Sequence, residues 1–275
     1  MALTDPVGPA RADAREIFIF HLPFSGALTD DRSAMVGETA VTPMLRPPGA
    51  ATVRPAVLAT VADCMAGVPA CLLTLPRLAL TLDIAVWLTA PVTADRLAVE
   101  ARVLKHGSRT IATEVDFADA GTGELAASCF LTFTPSPRPQ DVAPPQMGEM
   151  RTPGQLDEPL PDFVGVRTIA PGVVEVDHRP IVTQNSGTLQ GGIVALLGEL
   201  AAETLTGHPV VELDTRYLTT VRVGPARTSA RRIGARGVRV EVRDVGNGGR
   251  MAALVHARVA DQPLPPAGGA PGSAP

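Results

Sequence analysis

The sequence predicts an α+β protein made of two similar halves, each with one central helix and a mostly antiparallel sheet. Each half contains an apolar, helix-like segment, at residues 54–67 and 190–203. Strand-like segments with period-two alternation follow each helix and contain the glycine-rich turns "DAGTGE" and "VGNGGR", as in antiparallel hairpins. A proline-rich stretch at residues 134–161 separates the two halves.

The two halves can be aligned residue by residue. When the helical segments are superposed, Asp63 falls on Glu199. Further along, "LTLDIAVWLTAP" at residues 80–91 falls on "VELDTRYLTTVR" at residues 211–222. This repeated order of elements indicates a duplication.

Four segments are expected along the chain. They are an N-terminal unit at residues 15–135, a linker at 136–160, a C-terminal unit at 161–261 and a disordered tail at 262–275. Proline in the linker disfavours both helix interior and sheet ladder, and the tail has no periodicity. In the first helix the apolar residues extend nearly all the way round, so a sheet is expected to wrap around it.

Composition disfavours several classes of function, although binding through a local charged patch stays open. The 275 residues are 45% hydrophobic and 19% charged, which is enough to bury a sizeable core. A net charge of −4 gives no electrostatic support for a nucleic-acid partner or an anionic membrane surface. Asp63, Pro69 and Pro76 interrupt the longest apolar run, so no membrane span is expected.

Cysteine and histidine usage indicates neither a disulfide framework nor a metal site. The three cysteines include no Cys-x-x-Cys pair, and the five histidines show no metal-ligand spacing. The N-terminal segment lacks an apolar signal region. These features predict a cytoplasmic protein.

The segment "NSGTLQGGIVALLGELA" resembles the thioesterase signature of the hot-dog fold, in which His-Gly-Gly precedes a helix that carries Asp or Glu. Gln190 stands at the histidine position, Gly191 and Gly192 form the glycine pair, and Glu199 stands at the acid position. Both halves fit this fold. The resemblance therefore implies a tandem, or double, hot-dog chain with active sites across the interface of the two units.

The resemblance also implies how each site is assembled. A glycine N–H at one helix start would polarise the thioester carbonyl, and the acid of the other helix would face the same carbonyl. One site would then combine Gly191 with Asp63. The other would combine Glu199 with the segment that begins at Arg54, where Pro55 has no N–H to donate. We therefore favour Asp63 and Gly191 as the working pair.

An amide side chain is also expected beside the thioester or the attacking water, and Gln184 or Asn185 has the required spacing before Gly191. The complete set of expected catalytic residues is Asp63, Gly191, Gln184, Asn185 and Glu199. The expected substrate-binding residues are Gly192, Gln190 and Gly67.

The implied function is an acyl-CoA thioesterase in which Asp63 acts as general base or nucleophile. No cofactor is expected, since coenzyme A is part of the substrate. The expected partner is an acyl-CoA, without nucleic acid or membrane, and tandem chains are compatible with a homo-oligomer.

Two other functions are alternatives for a chain with this resemblance. One is a non-catalytic acyl-CoA-binding hot-dog protein, which the missing histidine and the irregular first-half motif favour. The other is a hot-dog hydratase or dehydratase, but its Asp is followed five residues later by His, whereas Val68 and Thr204 stand at those positions here.

Structural roles are alternatives for the same residues. Glu199 and Glu203 could form the wet face of an amphipathic helix. Asp63 could pair with Arg54 or Arg77, and the glycine pair could serve close helix packing. The arginines of residues 227–243 could bind coenzyme phosphates, but their alternation with valine is typical of an ordinary solvated strand.

Overall fold

The computed structural model describes residues 17–137, 139, 149–152, 154–184 and 186–262. Asn185 and nearly all of the expected tail lie outside the described residues. The helices are α1 (Pro55–Thr74), α2 (Leu160–Phe163) and α3 (Gly191–Thr206). The strands are β1 (Phe24–Leu28), β2 (Ala34–Ala40), β3 (Ala79–Leu88), β4 (Arg96–His106), β5 (Ile111–Asp119), β6 (Leu125–Pro135), β7 (Glu149–Arg151), β8 (Arg167–Ala170), β9 (Val173–Val176), β10 (Val210–Tyr217), β11 (Ala226–Ile233), β12 (Gly237–Asp244) and β13 (Arg250–Val259).

In the described part of the chain, all thirteen strands belong to one antiparallel sheet. Their order is β7-β1-β2-β4-β5-β6-β3-β10-β13-β12-β11-β9-β8. The first half supplies one side of this sheet and the second half the other. Helix α1 packs on β3 to β6, and α3 packs on β9 to β13. The predicted α+β architecture with a central helix in each half is confirmed.

The two halves meet at the antiparallel pair β3 and β10. Ile84 lies directly opposite Thr215, and the sequence alignment makes these two residues equivalent. On either side of them, Asp83 pairs with Arg216 and Ala85 pairs with Asp214. This register is expected of two similar units related by a local two-fold axis through the Ile84–Thr215 pair. The same axis brings α1 and α3 into contact.

Helix α1 is longer than the sequence predicted. It continues through Pro69 to Thr74 and is buried along most of its length. By length and composition it could cross a bilayer, so the expectation that proline and Asp63 interrupt the apolar run was wrong. Burial against the sheet outweighs the one helical hydrogen bond lost at Pro69. Since most of the helix lies inside the fold, it is a core helix here.

The proline-rich segment contributes to the sheet, contrary to expectation. Its residues Glu149–Arg151 form β7, which pairs with β1 at one edge of the sheet. The buried side chain of Thr152 accepts a hydrogen bond from the N–H of Phe24 at 3.1 Å. Proline density therefore did not prevent a short ladder, because the three residues of β7 are not prolines.

Strand β12 shows the alternation that the sequence predicted. Val238, Val240 and Val242 are buried. On the other face, Arg239 and Arg243 both pair with Glu241, at 3.3 Å and 2.8 Å. The interpretation of these arginines as part of a solvated strand face is confirmed.

Candidate active site

A cavity of about 330 Å³ lies between the two halves, where α1, β3 and the start of α3 meet. It brings together four of the predicted site residues, Asp63 and Gly67 from the first half with Gln184 and Gly191 from the second. The remaining lining residues are mostly apolar or carry hydroxyl groups: Ala79, Leu80, Thr81, Leu82, Phe133, Thr134, Leu189, Val194, Tyr217, Leu218, Thr219, Thr220 and Val221.

Asp63 supplies a partly desolvated carboxylate to this cavity. It lies two turns into α1, whose other residues at this depth are apolar. Thr81 on β3 donates a hydrogen bond from Oγ1 to Asp63 Oδ1 at 2.7 Å, and no described residue donates to Oδ2. Desolvation raises the pKa of Asp63 to about 6, although the Thr81 hydrogen bond opposes this rise. The carboxylate can therefore act as a base near neutral pH.

The start of α3 is capped by its own preceding residue. The side chain of Gln190 accepts hydrogen bonds at Oε1 from the N–H groups of Gly192 and Ile193, the latter at 3.2 Å. These are two of the donors that a helix start leaves unpaired. Gln190 is buried and does not line the cavity, so the prediction that it binds substrate is not supported by its position. Its two capping hydrogen bonds explain why an amide side chain stands at this position.

The two glycines of the pair have different surroundings. A Cβ at Gly192 would lie 1.9 Å from Thr60 Oγ1, so Gly192 lets α3 pack closely on α1. Gly192 is buried and is not among the residues that line the cavity, so its position does not support the predicted contact with substrate. Gly191 lines the cavity, and no described residue accepts a hydrogen bond from its N–H. That N–H is therefore a free donor at a helix N-terminus.

Tyr217 holds the peptide between the two glycines, and the sequence argument missed it. Its hydroxyl donates to the carbonyl oxygen of Gly191 at 2.9 Å. The N–H of the same peptide belongs to Gly192 and donates to Gln190 Oε1. The peptide is thus fixed at both ends, which constrains the neighbouring N–H of Gly191. Burial raises the pKa of Tyr217 well above its usual value, so its hydroxyl remains a donor.

Gln184 lies at the edge of the cavity. Its side-chain nitrogen Nε2 donates to Thr188 Oγ1 at 2.7 Å, and its backbone N–H donates to the Thr188 carbonyl at 2.9 Å. These bonds fix the loop before α3, and Gln184 lines the cavity from that loop. The alternative candidate for this role, Asn185, lies outside the described residues.

Glu199 does not reach the cavity. It is fully buried, and its carboxylate accepts from Arg54 Nη1 at 2.9 Å and from the N–H of Ala56 at 2.8 Å. Arg54 Nη1 also binds Glu203 at 2.9 Å. The structure therefore does not support a catalytic Glu199. It also overturns the wet-face alternative, because both glutamates are buried. Arg54 pairs with these two residues and not with Asp63.

Solved structures with this architecture are known. An acyl-ACP thioesterase from Bacteroides thetaiotaomicron matches 85% of this chain and 100% of its own, with a TM-score of 0.59 at 11% identity. A 12:0-ACP thioesterase from Umbellularia californica matches 82% of this chain and 96% of its own, with a TM-score of 0.58 at 13% identity. A protein from Alicyclobacillus acidocaldarius described as having a hot-dog fold matches 86% and 96%, with a TM-score of 0.50 at 13% identity. The chain has the hot-dog fold.

Sequence-level comparison gives no closer relationship. No family model matches the chain, and a search of curated proteins found no significant match. The structural matches cover more than four fifths of the chain and so extend over both hot-dog units. At such low identity the likeness establishes the fold, and the chemistry has to be argued from the site.

Among the described residues of this hot-dog chain, no group of three or more His, Cys, Asp or Glu side chains is placed to hold a metal ion. The cysteines Cys64, Cys71 and Cys129 are free, and burial raises the pKa of each thiol. The chemistry available in the cavity is therefore that of one carboxylate, one free helix-start N–H and the surrounding hydroxyl and amide groups.

The residues missed by the sequence argument are Thr81 and Tyr217. Both lie on the central strands β3 and β10, outside the motif at the start of α3. Tyr217 is the only tyrosine in the chain, and this was the one feature of the sequence that could have pointed to it as a site residue. Its position beside Gly191 follows from how β10 crosses the start of α3, and that crossing is not visible in the sequence.

Proposed function

We propose that this protein is a thioesterase that hydrolyses an acyl-CoA in the cavity between the two hot-dog units. One observation carries the proposal: Asp63 of the first unit lines the same cavity as Gly191 of the second, whose N–H donates to no described residue. Two of the structural neighbours are themselves named as acyl-ACP thioesterases, which favours this reaction class. The proposal needs no cofactor, because water, a base and an oxyanion donor are sufficient for hydrolysis.

In the proposed reaction, the thioester carbonyl oxygen accepts a hydrogen bond from Gly191 N–H. The helix-start position of this donor favours the negative charge that develops on the oxygen. Asp63 removes a proton from a water molecule while the water oxygen attacks the carbonyl carbon. The tetrahedral intermediate then collapses, the C–S bond breaks, and the thiolate takes up the proton. The products are a carboxylic acid and free coenzyme A.

Asp63 could instead attack the carbonyl carbon directly and form a mixed anhydride, which water then hydrolyses. Isotope labelling distinguishes the two routes when water attacks the Asp63 carbon of the anhydride. A single turnover in ¹⁸O-water labels the acid product under the general-base route. Under the nucleophilic route, attack of water on the acyl carbon also labels the product, but attack on the Asp63 carbon labels the protein.

The proposal is tested by measuring thiol release from acyl-CoAs with short, long and aromatic acyl groups. Asp63→Asn keeps the shape of the side chain and removes the base, so we expect turnover to fall by about 10²–10⁴-fold. Glu199→Gln is the matched control at the equivalent position of the other helix, and it should retain turnover in whatever fraction stays folded. Loss of turnover in folded Glu199→Gln alone would overturn the choice of Asp63.

The same panel distinguishes the non-catalytic alternative. If the wild-type protein releases no thiol from any acyl-CoA but binds them in a calorimetric titration, the protein is an acyl-CoA-binding module and the proposed hydrolysis is wrong.

A further inference from the structure

The cavity lining contains very little charge. Among its described residues only Asp63 and Tyr217 can ionise, and Tyr217 stays protonated because burial raises its pKa. No described lysine, arginine or histidine lines the cavity. Arg222 is a cation that contacts the lining from outside, since its Nε donates to Thr220 Oγ1 at 3.1 Å on the exposed side. Nothing in the described lining compensates a second negative charge placed next to Asp63.

The cavity is also bordered by exposed apolar side chains. Leu80, Leu82 and Leu218 line it and are 43%, 36% and 59% exposed. Exposed leucines that converge on one opening are typical of a site whose ligand covers apolar surface. Deeper in the cavity, Phe133 and Val194 continue this apolar lining.

We infer that the cavity accepts thioesters with an uncharged, apolar acyl group and rejects acyl groups that end in a carboxylate. This inference rests on the proposed function and narrows its substrate class. The expected selectivity depends on the charge of Asp63 beside the reacting carbonyl. It does not depend on the direction in which the acyl chain runs.

A four-carbon dicarboxylic acyl group places its free carboxylate close to its own thioester carbonyl, within about 6 Å by covalent geometry. In the proposed reaction Asp63 faces that same carbonyl as an anion. Because Asp63 lies a few ångströms beyond the carbonyl, the two like charges are within about 10 Å of each other, and at the effective dielectric of a protein their repulsion lowers an association constant by roughly tenfold. We therefore expect discrimination of about tenfold at low ionic strength, where screening by salt is weak.

The matched substrates are butyryl-CoA and succinyl-CoA, which differ in the terminal carboxylate at equal chain length. The wild-type kcat/KM for butyryl-CoA should exceed that for succinyl-CoA by about tenfold. Equal values, or a preference for succinyl-CoA, overturn the inference while leaving the proposed thioesterase activity intact. The two failures are therefore distinguishable.

A second comparison uses a cation introduced into the lining. Leu82→Arg should lower the butyryl-to-succinyl ratio by about tenfold, because the guanidinium compensates the added carboxylate. Leu82→Gln is the control, since it adds polarity at the same half-exposed position without charge and should leave the ratio near that of wild type. An equal fall in both variants would mean that polarity and not charge sets the preference, which also overturns the inference.

Binding provides a readout that does not need turnover. In a titration of Asp63→Asn, the ratio of the Kd values for succinyl-CoA and butyryl-CoA should be smaller than the wild-type ratio of the two kcat/KM values. The reason is that the repelling charge is gone. If the wild type binds both without cleaving either, the ratio of its Kd values decides the inference. If it binds neither, the inference and the proposed function both fail.

Discussion

The two helix starts occupy equivalent places in the fold but have opposite surroundings. At the start of α3, Gln190 caps its own helix, and the opposing acid, Asp63, faces an open cavity. At the start of α1, the residue before the helix is Arg54, which makes no cap and reaches across to Glu199 and Glu203. The opposing acid Glu199 also accepts the N–H of Ala56, so this second site is closed.

The comparison shows how one residue before a helix decides the state of the acid that faces it. An uncharged cap satisfies the helix and leaves the opposing carboxylate available to a substrate. A cation at the same position neutralises the carboxylate and fills the space that a substrate would need. Pro55 removes a further helix-start donor, so the closed site lacks both its base and part of its donor set.

The buried cluster of Arg54, Glu199 and Glu203 is expected to be important for stability. Among the described residues, Arg54 is the one cation that pairs with the two buried carboxylates, and Arg54→Met removes it. Burial already raises the pKa of both Glu199 and Glu203. We expect the free energy of unfolding to fall by about 3–5 kcal/mol at pH 8. Urea denaturation would measure this change.

Glu203→Gln is the control for that variant. It removes one of two negative charges that share a single guanidinium, so its effect on the unfolding free energy should be much smaller than that of Arg54→Met. Because Glu203 Oε1 has no partner in the described structure, the amide loses no hydrogen bond there. A destabilisation equal to that of Arg54→Met would show that the cluster is not organised around Arg54.

Turnover at the open site should depend on Tyr217, because its hydroxyl holds the peptide between Gly191 and Gly192. Tyr217→Phe keeps the ring but removes the hydrogen bond to Gly191. We expect kcat to fall by about tenfold with little change in KM, which is less than the loss of about 10²–10³-fold for removing an oxyanion donor itself. Steady-state kinetics measures both parameters. A rise in KM at constant kcat would instead assign Tyr217 to substrate binding alone.

The smallest expected effect concerns the pH dependence of the open site. Asp63 must be ionised to act as a base, so kcat/KM should decline as the pH falls through about 6. The hydrogen bond from Thr81 lowers the pKa of Asp63, and Thr81→Val removes it. The acid limb of the pH–rate profile should therefore move to higher pH.

Thr74→Val is the matched control for this shift. It makes the same substitution in α1, where the hydroxyl donates to the Arg77 carbonyl at 2.8 Å and has no contact with Asp63. Its acid limb should stay at the wild-type position. If Thr81→Val also leaves the limb in place, Asp63 is not the group whose ionisation controls the rate.

The sequence by itself determined the α+β architecture of two similar units, and its resemblance to the hot-dog signature implied the pairing of Asp63 with Gly191. Helical periodicity, strand alternation and the glycine pair are local patterns, and local patterns are visible in a linear sequence. The missing N–H of Pro55 is equally local, which is why the sequence could favour Asp63 over Glu199 as the working acid.

Only the tertiary structure decided the roles of Arg54, Glu199, Thr81 and Tyr217. Each depends on a contact between residues far apart in sequence, such as Arg54 with Glu199 across the two helices or Tyr217 with Gly191 across β10 and α3. A buried glutamate beside an arginine and an exposed glutamate on a helix face have the same local sequence pattern. What separates them is desolvation, and desolvation is a property of the packed fold.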